Sequence, residues 1–183
     1  MNKILVISGH PDYKHSLANR AILDEFHKLV PEAEIVYLDS LYPDFRIDIA
    51  KEQQRLVGAD TIVFEFPIYW YSAPSLLHRY FEGVLSYGFA FGQGGTALHG
   101  KKLIVSFTTG TAEKEYSPEG YQHYTIDQFM PQFRALASLC GFDYLGEIYS
   151  CGMTLIGKDD KATVDEFYGK TTAHARKLAE RVK

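Results

Sequence analysis

Short β-branched runs alternate along this chain with longer stretches in which apolar residues recur every three or four positions. The runs KILVIS (3–8), EIVYLD (34–39), TIVFEF (61–66), KKLIVSFTT (101–109) and YLGEIYSCGM (144–153) read as strands, most of them apolar enough to be covered on both faces. Between them, LANRAILDEFHKLV (17–30), IAKEQQRLVGA (49–59), PSLLHRYFEGVL (74–85), TIDQFMPQFRALASLC (125–140) and a terminal segment from about 159 to 181 carry helical spacing. Leu17, Ile22, Phe26 and Leu29 fall roughly on one face of the first helix. Ser16 is a natural N-cap for that helix, and Pro74 suits the first turn of the third.

Strands that alternate with helices predict an α/β fold, a parallel sheet covered on both faces. Right-handed crossovers leave few topologies, among them the strand order 2-1-3-4-5. No repeat, low-complexity tract or linker interrupts residues 1–183, which read as a single domain. Ligands of such sheets bind outside the carboxyl ends of the strands. Three loops, 9–19, 67–73 and 108–124, converge there.

Composition narrows the chemistry. A net charge of −4 disfavours a general nucleic-acid binder, because neutralising phosphates needs a basic surface. Cys140 and Cys151 make neither a C-x-x-C pair nor a zinc spacing, so two reduced, buried thiols and no metal are expected. The first apolar run is too short for a signal-peptide core or a membrane span, which favours the cytoplasm. Thirteen Tyr and twelve Phe, concentrated around 64–91 and 116–149, raise the prospect of a planar ligand or an aromatic interface.

Each of the three loops has a functional reading and a plainer one. The first lacks both G-x-G-x-x-G and the P-loop pattern, yet it sets His10, Ser16 and Asn19 at a helix mouth, where free N–H groups suit a phosphate; simple helix capping is the alternative. The second, PIYWYSAP, holds Tyr69, the sole tryptophan Trp70, and Tyr71 where turns usually carry small polar residues. A flat ring lying against these aromatics would explain them, as would a hydrophobic plug or a dimer patch. The third opens with Thr108, Thr109 and Gly110, small enough for close backbone approach, and carries Tyr116 as a phenol donor. Hydrolase and zinc-protease signatures are absent from the sequence.

Taken together, GHP with SLAN, FPIYWYSAPSLLHRYFEGVL, YGFAFGQGGTALHGK and TTGTAEKEY resemble, in order and over nearly the whole chain, the NAD(P)H:quinone oxidoreductase family of flavodoxin-like flavoproteins. That family includes DT-diaphorase and the bacterial ancillary flavoproteins of glutathione-gated potassium efflux systems. The resemblance implies that His10, Ser16, Leu17, Ala18 and Asn19 hold the phosphate end of a flavin. It assigns Pro67, Ile68, Tyr69 and Trp70, with Thr108, Thr109, Gly110 and Thr111, to the ring. Thr111 stands where the family usually has a second glycine, and Gln122, beside His123, stands where DT-diaphorase has a histidine.

Tyr116 matches the tyrosine near the flavin's pyrimidine side and is the catalytic candidate; Tyr87 and Phe89 match residues that contact the acceptor from the partner subunit of a homodimer. The implied cofactor is FMN, because the C-terminal extension of the longer FAD-using members is missing; some short bacterial relatives bind FAD. The implied reaction is two-electron transfer from NAD(P)H through the flavin to a quinone-like acceptor. The alternative is a regulatory ancillary subunit of a potassium efflux transporter, peripheral at the inner membrane.

Overall fold

The five apolar runs form one fully parallel sheet in the order β2-β1-β3-β4-β5. A computed structural model describes residues 2–183 and assigns β1 to Ile4–Ser8, β2 to Glu34–Tyr37, β3 to Thr61–Pro67, β4 to Lys102–Thr108 and β5 to Asp143–Ser150. Central β3 is buried at all seven positions, and β4 is exposed only at Lys102. Neither could present an alternating polar face, because helices cover both sides.

The pleat sorts side chains into two cores. On one face, Ile4, Val6, Val63, Ile104 and Ile148 pack against Ile22, Leu23 and Phe26 of α1 (Ala18–Leu29) and against Ala175, Leu178, Ala179 and Val182 of the terminal helix. On the other, Leu5, Ile7, Ile62, Phe64, Phe66 and Phe107 meet the remaining long helices through Leu56, Leu77, Tyr80 and Phe133. Along α1 the buried stripe is Ala18, Asn19, Ile22, Leu23 and Phe26, while Leu17 and Leu29 lie on the exposed side. The face expected from Leu17 to Leu29 is therefore turned by about one position.

Chain punctuation adds two short helices, giving seven among the described residues: α2 (Leu38–Leu41), α3 (Ile49–Gly58), α4 (Ser75–Val84), α5 (Ile126–Phe129), α6 (Pro131–Leu139) and α7 (Lys161–Val182) follow α1. The single helix expected over 125–140 breaks into α5 and α6 because Pro131 lacks an N–H and fits only as the first residue of a new helix. Thr125 and Gln128 close a reciprocal capping box on α5. The last strand ends at Ser150, three residues short of the expected end, and residues 151–160 turn back across the sheet's carboxyl edge.

One substitution-intolerant point sits at the head of the first loop. A Cβ on Gly9 would fall 2.7 Å from Leu77 Cδ2, so only glycine lets the chain leave β1 this close to α4. Both cysteines are free and buried, and burial raises both thiols above their ordinary pKa. No helix among the described residues is long and apolar enough to cross a membrane.

Candidate functional site

The same alternation that builds the α1/α7 core turns polar at its upper end. Ser8, Glu65 and Ser106 are register partners across β1, β3 and β4, and all three are fully buried. Thr108 and Ser150 pair one step beyond. Asn19, on the first turn of α1, closes the layer from above: its Nδ2 donates to Glu65 Oε1 at 2.6 Å, and its Oδ1 accepts from Thr108 Oγ1 at 3.2 Å. Asn19 N–H donates to Ser16 Oγ at 3.2 Å, so Ser16 performs the capping expected of it. From α7, His174 is held between Ser106 Oγ at 2.8 Å and Ser150 Oγ at 2.9 Å, and burial lowers its pKa to about 4.

Above this polar layer lies a cavity of about 440 Å3. Ten of the predicted cofactor positions line it: His10, Ser16, Leu17, Ala18 and Asn19 from the first loop, Pro67, Ile68 and Tyr69 from the second, Thr108 and Gly110 from the third. The sequence missed its remaining wall. Met153, Thr154, Leu155 and Ile156 from the segment after β5, with Phe167 of α7, complete the lining, and Asp12 and His15 stand at the rim. Nothing in TLIGKDD announces a ligand wall; only the turn back of the chain after Ser150 brings it there.

Larger grooves, about 620 and 660 Å3, lie elsewhere on the surface. The first is at the amino edge of the sheet, around Lys3, Glu34 and Arg55, and the second runs beside β5, around Glu147, Lys177 and Arg181. Charged side chains make up much of their walls, and neither lies at the carboxyl edge where this topology places ligands.

His10 is oriented for donation into the cavity. Its Nδ1 accepts the Asp12 N–H at 3.0 Å, so the proton of the neutral ring sits on Nε2. Burial lowers its pKa, against the opposing pull of Asp39 and Asp12. Beside it, the N–H groups of Leu17 and Ala18 have no partner among the described residues, as expected at a helix start.

At the other end, Tyr69 N–H donates to Ser72 O at 3.0 Å and Ser72 N–H returns the bond at 3.1 Å. Trp70 and Tyr71 occupy the two central positions at φ +50° and +67°, a conformation normally left to Asn and Gly. Their N–H groups are unpartnered, as are those of Gly110 and Thr111 across the cavity mouth. The turn is braced by Ser72 Oγ, which bonds His78 Nε2 at 2.9 Å and Gln132 Oε1 at 2.7 Å, and by Tyr71 stacked 5.3 Å from Phe129. His78 is half-buried and supports the turn from α4.

The other predicted positions lie around the cavity rather than in its wall. Trp70 is 93% exposed. Thr109 is buried and bonds Thr111 O at 2.9 Å, while Thr111 Oγ1 pairs with Tyr121 OH at 2.9 Å. Tyr116 packs edge-on to Phe129; burial raises its pKa, so the phenol keeps its proton at neutral pH. His123 is exposed, and Gln122 Nε2 reaches Thr111 Oγ1 at 3.4 Å. In the excursion after α4, Tyr87 stands out at 67% exposure. Phe89 and Phe91 fold half-buried against the core, because the left-handed Gly88 and Gly92 curl the segment back.

Residues 2–175 match a family whose members share a flavodoxin-like fold. General stress protein 14 of Bacillus subtilis is 40% identical over 158 residues, covering 86% of this chain and 90% of that protein. A second Bacillus subtilis relative, named "Uncharacterized NAD(P)H oxidoreductase YrkL", is 38% identical with the same coverage. The crystal structure of general stress protein 14 from Treponema denticola, in complex with FMN, superposes with a TM-score of 0.88 at 25% identity, over 99% of both chains. The chain belongs to the flavodoxin-like family, and an NAD(P)H oxidoreductase is among the relatives it resembles.

Proposed function

We propose that this protein is an FMN-dependent NAD(P)H oxidoreductase that delivers two electrons to a quinone-like acceptor. One observation carries the reading: ten of the expected cofactor positions, drawn from three loops far apart in sequence, line one cavity at the carboxyl edge of the sheet. The donor set fits FMN. Two unpartnered helix-start amides and His10 Nε2–H suit a phosphate, and four unpartnered amides on facing loops suit the carbonyl and nitrogen edge of a flat heterocycle.

Bound flavin would supply the redox chemistry, accepting hydride from NAD(P)H and passing it to the acceptor. The chain's own part is holding and tuning. Trp70 and Tyr71 N–H, Gly110 N–H and Thr111 N–H would orient the ring, and Thr108 Oγ1 would keep the third loop tied to Asn19. Tyr116, protonated at neutral pH, would donate its phenol hydrogen to the ring edge on which negative charge develops during reduction. Tyr69 would wall one side of the ring near His10, the two side chains being 6.3 Å apart edge to face.

The active form would be a homodimer. Tyr69, Trp70, Tyr71, Tyr121 and Tyr124 are all exposed on the second and third loops, more aromatic surface around one mouth than a soluble monomer usually presents, and Tyr87 is exposed after α4. A second copy would cover it, with the partner's Tyr87 and Phe89 roofing the acceptor position. The names borne by the relatives favour the oxidoreductase over the reading as an ancillary subunit of a potassium efflux transporter.

Purified protein should be yellow, release FMN on denaturation and bleach when NADH or NADPH is added without oxygen. A colourless protein that neither FMN nor FAD reconstitutes would overturn the reading.

A further inference from the structure

The buried carboxyl beneath the cavity has no part in the chemistry above. Glu65 is fully buried in the middle of β3, with Ser8 and Ser106 as its neighbours across the sheet and Asn19 above it. Its Oε1 accepts from Asn19 Nδ2, but among the described residues Oε2 has no hydrogen-bond partner, and neither has the equally buried Oγ of its register partner Ser8. A carboxylate here would leave a fully buried charge, away from water, with one aligned donor. A carboxylic acid would place its proton on Oε2, free to donate to Ser8 Oγ and resolve both unsatisfied atoms together.

We propose that Glu65 is a positioning residue that works as a neutral acid: it orients Asn19 under the helix start and keeps the cavity floor free of negative charge, so that an ionised Glu65 and a bound phosphate exclude one another. The proposal rests on the reading that the flavin phosphate sits at His10, Leu17 and Ala18.

The surroundings agree. Burial pushes Glu65 up to about 8, with the Asn19 and Ser8 side chains pulling it partly back. From α7, His174 faces Ser106 as a neutral ring, with Lys177 acting on it from beyond. Tyr13, from the first loop, and Tyr37, on β2, feel the Glu65 charge, and Asp24 of α1 acts on both; burial raises both phenols above their usual range. His10 is neutral, its pKa lowered by burial. No cation in this set would compensate an ionised Glu65 at neutral pH. Asn19 links the two sites: the residue that takes Glu65 Oε1 also caps on Ser16 and accepts from Thr108, fixing the first turn of α1 from below.

Coupling of this kind is reciprocal, so phosphate affinity should fall as Glu65 loses its proton. Glu65→Gln reproduces the neutral acid: its Oε1 accepts from Asn19 and its Nε2 donates to Ser8 Oγ. The test measures dissociation constants of apoprotein for FMN and for riboflavin, which lacks the phosphate, from pH 7 to 9.5 by quenching of flavin fluorescence. Wild type should lose roughly tenfold in FMN affinity over that range with little change for riboflavin, and Glu65→Gln should hold FMN equally at both ends. Equal FMN pH profiles in the two proteins, or a riboflavin profile that parallels the FMN one, would overturn the proposal.

Two further measurements keep it separate from the flavin reading. The neutral acid gives an infrared carboxylic-acid carbonyl band in apo wild type that fades between pH 7 and 9.5. Its absence at pH 7 defeats the assignment, even if Glu65→Gln does not fold. Failure of either flavin to bind wild type, with the band present, would sink the flavin reading and with it the phosphate coupling, while leaving the neutral acid standing.

Discussion

Tyr69 and Ser72 exchange both of their backbone hydrogen bonds, at 3.0 and 3.1 Å, and thereby hold Trp70 and Tyr71 in the left-handed region at φ +50° and +67°. Two bulky aromatics in succession at such angles cost on the order of 1–2 kcal/mol each. Trp70 recovers little by packing, being 93% exposed. Strain of this kind persists where the turn serves a ligand or a partner.

Trp70→Asn separates the two roles of that position. Asn tolerates the left-handed region, so the apoprotein should gain about 0.5–1 kcal/mol in urea unfolding. FMN affinity should drop roughly tenfold, from lost stacking and burial. An unchanged affinity would make Trp70 an interface residue and no more.

Tyr116→Phe removes the phenol proton and little else, since the ring keeps its edge-on packing against Phe129. A hydrogen bond to developing charge is worth about 1.5–3 kcal/mol, so flavin reduction by NAD(P)H should slow by roughly tenfold or more. FMN affinity should change little. Rapid-mixing kinetics at saturating NADPH give the comparison, and equal rates would exclude the phenol from the reaction.

Tyr87→Asp tests the homodimer. Phe89 is half-buried against its own core, so a charge there would unfold as well as dissociate. Tyr87, 67% exposed, offers the cleaner probe. The variant should keep its melting temperature at high dilution, sediment with a larger monomer fraction and show a raised KM for quinone. A wild type that sediments as a monomer at full turnover removes the shared mouth.

The two buried titratable groups oppose each other in pH-dependent stability. His174 falls to about 4 in the folded chain from an ordinary 6.5, so the unfolded chain binds the extra proton between those values and stability rises with pH there. Glu65 is raised from 4.5 to about 8, so the folded chain binds the extra proton and stability falls with pH across that window. Between pH 4.5 and 6.5 the slopes offset; from 6.5 to 8 the Glu65 slope stands alone, at up to about 1.4 kcal/mol per pH unit. Urea unfolding of the apoprotein should therefore be nearly flat between pH 4.5 and 6.5 and decline above it. Glu65→Gln should expose the rise from His174, and His174→Gln should extend the decline to lower pH.

The sheet order, the two-faced burial of β3 and the three converging loops were all legible in the sequence, because each rests on local periodicity and on a handedness rule that admits few topologies. Ten of the positions that the resemblance assigned to a cofactor came together because the loops that follow β1, β3 and β4 all open at the same edge of the sheet. Local pattern failed where a single residue overrides it, as Pro131 does in splitting one expected helix into two. It also failed where the chain's path after an element decides the outcome. Residues 153–156 became the outer wall of the cavity only because β5 stops at Ser150 and the chain folds back.

Glu65 shows the division most plainly. In the sequence it is one carboxylate inside TIVFEF, with no partner at a helical or strand spacing to mark it. Its role depends on Asn19, forty-six residues away, and on Ser8 across the sheet. Periodicity sets which way a side chain points, but burial and charge depend on what the rest of the chain brings against it, and only the tertiary structure decides that.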